Sequence, residues 1–299
     1  MQLHVLGSAA GGGVPQWNCG CKNCTAARAH RLPQRTQASL AASADGKAWV
    51  LFNVTTDIRA QLAADPLLAP RSARDTPIEA IFLTDANLDH VAGLLDFRQG
   101  GALTICSTAI VRDTLLGNAV FAPFGRAPRR WVAIDETSEA TQEIGGLRIR
   151  EIAVEGLLPS YAGGAAARGA TCAYLIEDAR AVKVLYAPIF ASTGAALAGA
   201  ADEADIAFYD GSFWSDDELN AQGLGARTAA EMGHQAVGGP TGSLAALAGR
   251  RCPRNIYTHL NNSNPMLDPL SPEAKEVYAA GFEIAQDGMT ITTSATVRA

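Results

Sequence analysis

Ile78-Glu79-Ala80-Ile81-Phe82-Leu83-Thr84 runs directly into Asp85-Ala86-Asn87-Leu88-Asp89-His90. The first seven residues are largely apolar and rich in strand formers, the pattern of a short strand buried on both faces. A polar cluster ends the run, and Leu88–Phe97 then reads as a helix. Strand, polar turn and helix in that order are the repeating unit of α/β proteins, whose sites lie where strands end. The same logic extends outward. Leu3–Leu6, Ser39–Ser43 and Trp49–Asn53 read as strands, the last two joined at Asp45-Gly46, a hairpin signal. Asp57–Ala64 reads as a helix stopped by Pro66. Later strands are expected at Leu103–Cys106, Leu147–Val154, Cys172–Ile176, Val182–Tyr186, Ile206–Tyr209, Asn255–Thr258, Phe282–Ala285 and Met289–Thr293. Helices are expected at Thr108–Leu116, Thr193–Ala200, Thr241–Ala248 and Pro272–Ala279. Strand clusters interrupted by helices over 299 residues predict two sheets with helices outside them, in a single domain spanning 1–299. Gly156–Gly169, rich in Gly and Ala, reads as a mobile loop.

Composition narrows the function classes. Apolar residues make up 48% and charged residues 18%, which excludes a disordered chain. The net charge of −6 argues against nucleic acid or a membrane surface as partner. The N-terminus has no basic segment before its first apolar run, and no apolar run approaches the ~20 residues of a spanning helix, so a cytoplasmic location is expected.

Several clusters can do chemistry. Cys19-Gly20-Cys21-Lys22-Asn23-Cys24 puts three thiols within six residues, with mostly small spacers, a set that suits a structural zinc. This zinc loop covers about residues 15–30. The fourth ligand is not local; His30, Asn262 and His259 all qualify. Asp89-His90 follows the central strand. Taken alone it reads first as a capping Asn or Asp beside an ordinary surface histidine. Thr258-His259-Leu260-Asn261-Asn262-Ser263-Asn264-Pro265 again follows a strand, and its asparagines supply turn geometry. Tyr209-Asp210-Gly211-Ser212-Phe213-Trp214 and Glu231-Met232-Gly233-His234 are further polar turns. The run Gly7-Ser8-Ala9-Ala10-Gly11-Gly12-Gly13 lacks dinucleotide or P-loop spacing and reads as a loop passing close to the core.

These motifs occur in a distinctive order. Leu6–Gly13, Pro15-Gln16-Trp17-Asn18-Cys19, Asp57-Ile58-Arg59-Ala60-Gln61-Leu62 and Leu83-Thr84-Asp85 come first. Asp89-His90, Asp210-Gly211, Arg227-Thr228, Glu231–His234, His259–Asn262 and Asn264-Pro265 follow. Nearly end to end the chain resembles the coenzyme PQQ synthesis protein B family of the metallo-β-lactamase fold. The resemblance implies an αββα sandwich with its metal site on the loops at one sheet edge.

Departures from the hydrolases of that fold carry the functional expectation. Their signature is His-x-His-x-Asp-His. By position Asp85 and Asn87 replace the first two histidines, while Asp89 and His90 remain. The late strand-end histidine matches His259. No histidine lies between His90 and His234, and Ala187-Pro188-Ile189 stands where a bridging Asp belongs. The first metal site is therefore expected to be crippled. The second retains one carboxylate and two imidazoles, Asp89, His90 and His259, a facial triad suited to Fe(II) and dioxygen. A two-metal hydrolase needs a second ion.

What the resemblance implies about activity agrees: Fe(II)- and O₂-dependent hydroxylation of the tyrosine ring of a Glu–Tyr unit derived from the PQQ precursor peptide. A carrier of PQQ or its precursor to the periplasm, and a metallo-hydrolase with altered ligands, are the alternatives. Asp210 and His234 are expected to support the ligands or relay protons, and Asp85 to orient His90 or bind water. Carboxylates on the substrate call for an arginine fork, with Arg59, Arg98 and Arg227 as candidates and Arg227 favoured. A related phosphodiesterase of the carbon–phosphorus lyase pathway completes the same cysteine set with a histidine where this chain has Asn262. A homodimer is compatible with this reading; a membrane partner is not expected.

Overall fold

The computed structural model describes residues 1–134 and 141–293. Among these described residues, fourteen strands form two sheets of seven. The first sheet contains β1 (Gln2–Gly7), β2 (Ser39–Ser43), β3 (Trp49–Phe52), β4 (Ile78–Phe82), β5 (Leu103–Thr108) and β6 (Arg129–Ile134). The second contains β7 (Thr141–Ile144), β8 (Leu147–Ala153), β9 (Cys172–Asp178), β10 (Lys183–Ala187), β11 (Ile206–Asp210), β12 (Arg254–Thr258) and β13 (Phe282–Ile284). The last strand, β14 (Thr290–Thr292), returns to the first sheet beside β1. Strands β3 to β6 run parallel, as do β10 to β13; the remaining pairs are antiparallel.

Eight α-helices cover the outer faces: α1 (Lys22–Arg28), α2 (Ile58–Ala64), α3 (Leu88–Val91), α4 (Ala109–Leu116), α5 (Ala195–Glu203), α6 (Glu218–Ala221), α7 (Ser243–Leu247) and α8 (Pro272–Ala279). Their ends follow local chemistry. Thr108 caps α4 by accepting from the Val111 N–H, and Ser271 caps α8, with Pro272 in its first turn.

Three apolar cores result, one for each gap between the four layers. Between the sheets lie Leu3, Phe52 and Phe82 against Tyr174, Tyr186 and Phe208. Outside the first sheet, Trp49, Leu51 and Ile105 meet Ile58, Leu94 and Leu115. Outside the second, Leu185 and Tyr209 meet Leu197, Leu247 and Val277. This is the expected αββα sandwich.

Local differences from the sequence expectation have physical causes. Leu88–Phe97 forms one α-turn and then the 3-10 stretch Ala92–Gln99. Val54 diverts the helix hydrogen bonds: its N–H donates to the His90 carbonyl at 2.7 Å, and its carbonyl accepts from Gly93 N–H at 3.0 Å. A side chain at Gly93 would lie 2.2 Å from the Thr55 carbonyl oxygen, so glycine is required there. β6, β7 and α6 were not foreseen. Cys24 lies within α1 rather than on the loop before it.

The parallel strands place the chemistry. β4, β11 and β12 all end at one rim, and Thr84–His90, Asp210–Trp214 and His259–Asn264 leave from those ends. A bridge between Asp85 and Thr171, with Cys172 N–H donating to the Thr84 carbonyl at 2.8 Å, joins the two sheets at this rim.

Candidate metal centre

Asp89, His90 and His259 offer one ligand atom each within 4.8 Å of one another. His90 and Asp89 sit on α3, which begins only after β4 has ended; His259 is the first residue past β12. The His259 backbone is left-handed, with φ 57°. For a residue with a Cβ that conformation carries strain, and it turns the ring back over the rim. The rings of His90 and His259 meet edge to face at 4.8 Å. Gly11 packs directly on the Asp89 carboxylate: a Cβ there would lie 3.1 Å from Oδ2. The glycine run thus lets the backbone approach the site, as a loop against the core.

Each ring is fixed from behind. His90 Nδ1 lies 2.6 Å from Asp85 Oδ2, both residues buried. Thr84 Oγ1 donates to the same oxygen at 2.7 Å, and Asn53 Nδ2 donates to Thr84 Oγ1 at 2.9 Å. Asn53, Thr84 and Asp85 therefore form a chain that ends on Nδ1 and leaves Nε2 as the free position. His90 Nε2 is buried with no hydrogen-bond partner. A buried ring nitrogen without a partner costs stability, and a cation would satisfy it. This orphaned atom shows that the donor set fits a metal ion.

His234 Nδ1 lies 2.7 Å from Asp210 Oδ2, and its ring stacks near His259 at 5.6 Å. Asp210, His234 and His259 also lie within 4.8 Å of one another. A separation of 2.7 Å is a hydrogen bond; two donors about 2.1 Å from a shared ion at right angles sit about 3 Å apart. Asp210 therefore supports the His234 ring through this hydrogen bond.

The electrostatics follow the geometry. Burial alone would lower the His259 pKa, but the nearby carboxylates of Asp210 and Asp89 outweigh it and hold the group up at about 10. Burial would raise the carboxyls of Asp85, Asp89 and Asp210; neighbouring imidazoles outweigh it and hold all three below the usual range. Asp85 is thus turned back onto His90 as a buried anion.

Cys19, Cys21 and Cys24 converge with their sulfurs within 4.8 Å. Asn262 Nδ2 lies 3.1 Å from Cys19 Sγ and 3.6 Å from Cys21 Sγ. Backbone N–H groups of Gln16, Cys21 and Cys24 also point at sulfur. Burial pushes the Cys24 thiol up to about 12, with Cys21 and Cys19 adding to the rise. At Cys21 burial acts the same way but is outweighed by hydrogen bonds from Cys24, Cys19 and Asn262, which lower it. Three soft thiol donors converging on one point fit a zinc ion, which would balance the charge of their thiolates. Of the fourth-ligand candidates, Asn262 is the one at the cluster. His259 faces the carboxylates, and His30 is exposed.

The arginines are less well placed. Arg59 is exposed on α2 and, with Arg98 and Asp96, lines a groove of about 490 Å³ that includes none of the metal-centre residues. Arg227 is also exposed and donates to the Glu231 carbonyl, pinning the turn that leads to His234. Neither is brought to the cluster. Asn87 is the residue before α3 and makes no side-chain cap. Sequence reasoning missed Asn53, Thr84 and Ser212. The last sat in view, two residues after Asp210, but nothing local showed which ring it meets.

Comparison with known proteins places the chain in a family. The beta-lactamase superfamily domain matches residues 48–260. Coenzyme PQQ synthesis protein B of Ectopseudomonas mendocina is 40% identical, over 97% of this chain and 99% of its own. The Rhizobium meliloti protein of the same description is also 40% identical, over 97% of each chain. Among solved structures, Zn(2+)-bound PqqB from Methylobacterium extorquens superposes with TM-score 0.91 at 36% identity, covering 98% of this chain and 100% of that one. A diphosphatase from the PhnP family shares the fold, with TM-score 0.70 at 20% identity over 98% of each chain.

Proposed function

Because the chain belongs to the coenzyme PQQ synthesis protein B family, of metallo-β-lactamase fold, we propose that it performs an oxidative step of PQQ synthesis, the hydroxylation of the tyrosine ring of a Glu–Tyr unit. The observation that carries this reading is the one-sided donor set. Asp89, His90 and His259 face one position. The residues where a second ion would bind are Asp85, already committed to His90, Asn87, and the apolar stretch Ala187-Pro188-Ile189. With one acidic and two imidazole donors, about three positions of an octahedral ion remain for substrate and O₂. A hydrolase would need a second cation to hold both hydroxide and leaving oxygen.

Fe(II) held here would supply the reduction of dioxygen that inserts one oxygen atom into the ring; the second leaves as water, with two electrons from an external reductant and two protons. The chain's own residues orient and move protons. Asp85 keeps hydrogen on His90 Nδ1, so Nε2 faces the ion. Asp210 likewise keeps hydrogen on His234 Nδ1, which makes His234 Nε2 the atom able to exchange a proton with substrate. Zinc at Cys19, Cys21, Cys24 and Asn262 would anchor the N-terminal loop that carries Gly11 to Asp89. Arg227, on the turn that leads to His234 rather than at the cluster itself, would meet a substrate carboxylate further out.

Anaerobic loading with one equivalent of ferrous ion beyond zinc, followed by O₂ and a Glu–Tyr dipeptide, tests it. Oxygen uptake with formation of a catechol is expected. Phosphodiester turnover without O₂, or PQQ binding with neither reaction, would replace it with the hydrolase or carrier reading.

A further inference from the structure

We propose that Ser212 is a positioning residue that fixes the tautomer and heading of His259, so that Nε2 is the atom presented to the metal. This rests on His259 being a ligand. Ser212 is fully buried, two residues beyond β11. Its Oγ lies 2.6 Å from Asp210 Oδ1 and 2.8 Å from His259 Nδ1. A hydroxyl has one hydrogen to give. The shorter contact is to a carboxylate, the stronger acceptor, so the hydrogen goes to Asp210. The hydroxyl oxygen can then only accept from the ring, which requires hydrogen on Nδ1. That leaves Nε2 as the nitrogen on which an ion can take the place of a proton, and Nε2 is the nitrogen facing Asp89 Oδ2 at 3.4 Å.

The hydroxyl is the connection, because Asp210 Oδ1 and His259 Nδ1 are 3.8 Å apart, beyond hydrogen-bond reach. His90 and His234 meet their carboxylates directly, at 2.6 and 2.7 Å. His259 alone among the three is held through an intermediary. Ser212 is itself fixed: its N–H donates to Asp210 Oδ1 at 3.0 Å, and its carbonyl accepts from Asn261 N–H at 3.1 Å in the turn after His259. One carboxylate thereby sets two rings, with Oδ2 holding His234 and Oδ1 holding His259 through Ser212.

The test is Co²⁺ titration of chains whose cysteine loop is already filled with zinc, comparing wild type, Ser212→Ala, Ser212→Thr and His259→Ala. Ser212→Ala should weaken Co²⁺ binding about 10–100-fold, the usual effect of removing a ligand's support. Ser212→Thr, which keeps the hydroxyl, should restore it. Long-range ¹H–¹⁵N spectra of the zinc-loaded wild type should show His259 with hydrogen on Nδ1 and metal on Nε2, and Ser212→Ala should lose that single pattern. Wild-type affinity in Ser212→Ala, or hydrogen on Nε2 in the wild type, overturns the proposal. Wild-type binding by His259→Ala overturns the ligand premise instead. The spectrum of the wild type decides the matter should Ser212→Ala fail to fold.

Discussion

Metal uptake should release a proton and strengthen steeply with pH. In the ion-free protein His259 stays protonated to about pH 10, because Asp89 and Asp210 outweigh the effect of burial. A cation at Nε2 must displace that proton. At pH 7 the group lies about three units below its midpoint, so about 4 kcal/mol of intrinsic metal affinity is spent on deprotonation. Each unit of pH gained up to about 10 returns about 1.4 kcal/mol, a tenfold tightening. Calorimetric titration of Co²⁺ between pH 6.5 and 8.5, in buffers of different ionisation enthalpy, reads both the slope and the number of protons released. One proton per ion and a total gain near a hundredfold are expected. A flat affinity with no proton release would show that His259 is not the group the ion displaces. The same linkage reverses sign for ion-free stability. A folded pKa raised above an unfolded value of about 6.5 contributes stability fully below pH 6.5 and loses it as pH rises to about 10. Ion-free protein should therefore lose melting temperature over that window, whereas protein in excess metal should resist the loss.

Other outcomes follow from the same contacts. Asp85→Asn keeps the shape but weakens the acceptor at His90 Nδ1; about a 10–100-fold loss of metal affinity is expected by titration, with zinc at the cysteine loop unchanged. Cys21→Ser should lose that zinc first, seen as one equivalent less by elemental analysis and a lower melting temperature. Glu218 is held up at about pH 7, chiefly by burial. A carboxyl raised in the folded state loses stability as pH rises from about 4.5 to 7. Glu218→Gln should flatten that part of the stability profile measured by urea unfolding. Phe52→Ala, in the core between the sheets, should cost about 3–5 kcal/mol in the same assay.

The interior strands could be read from the sequence because burial on both faces demands largely apolar runs, as in Ile78–Phe82, broken only by exposed Glu79, and Ile206–Tyr209. Two of the four edge strands could not. β6 opens with Arg129-Arg130, and β7 is Thr141-Gln142-Glu143-Ile144, at the ends of their sheets with one side unpaired. Short charged edge strands are what keeps sheets from pairing with one another, and they carry little apolar signal. Taken alone, Asp89-His90 reads as a cap beside a surface histidine; the resemblance singles it out together with His259, and the structure brings the three side chains together. Asp85 meets His90 as expected, but what holds Asp85 was not legible: Asn53 lies on the neighbouring strand's exit, 31 residues before Thr84, and only the parallel pairing of β3 with β4 brings them together. Arg59 looked promising by chain order, yet α2 turns it outward over the helical layer.

His259 and Asn262 hang from one tight turn, three residues apart, the first committed to the carboxylates and the second to the thiols. That spacing is a fixed ruler. An extra residue between them would pull one end off its target whichever way the loop relaxed, so a single-residue insertion there should disable one of the two sites. The hairpin at Asp45-Gly46, far from the rim, has no such double appointment and is where length can vary freely. For anyone redesigning this scaffold, the turn after β12 is the part whose measure cannot be altered.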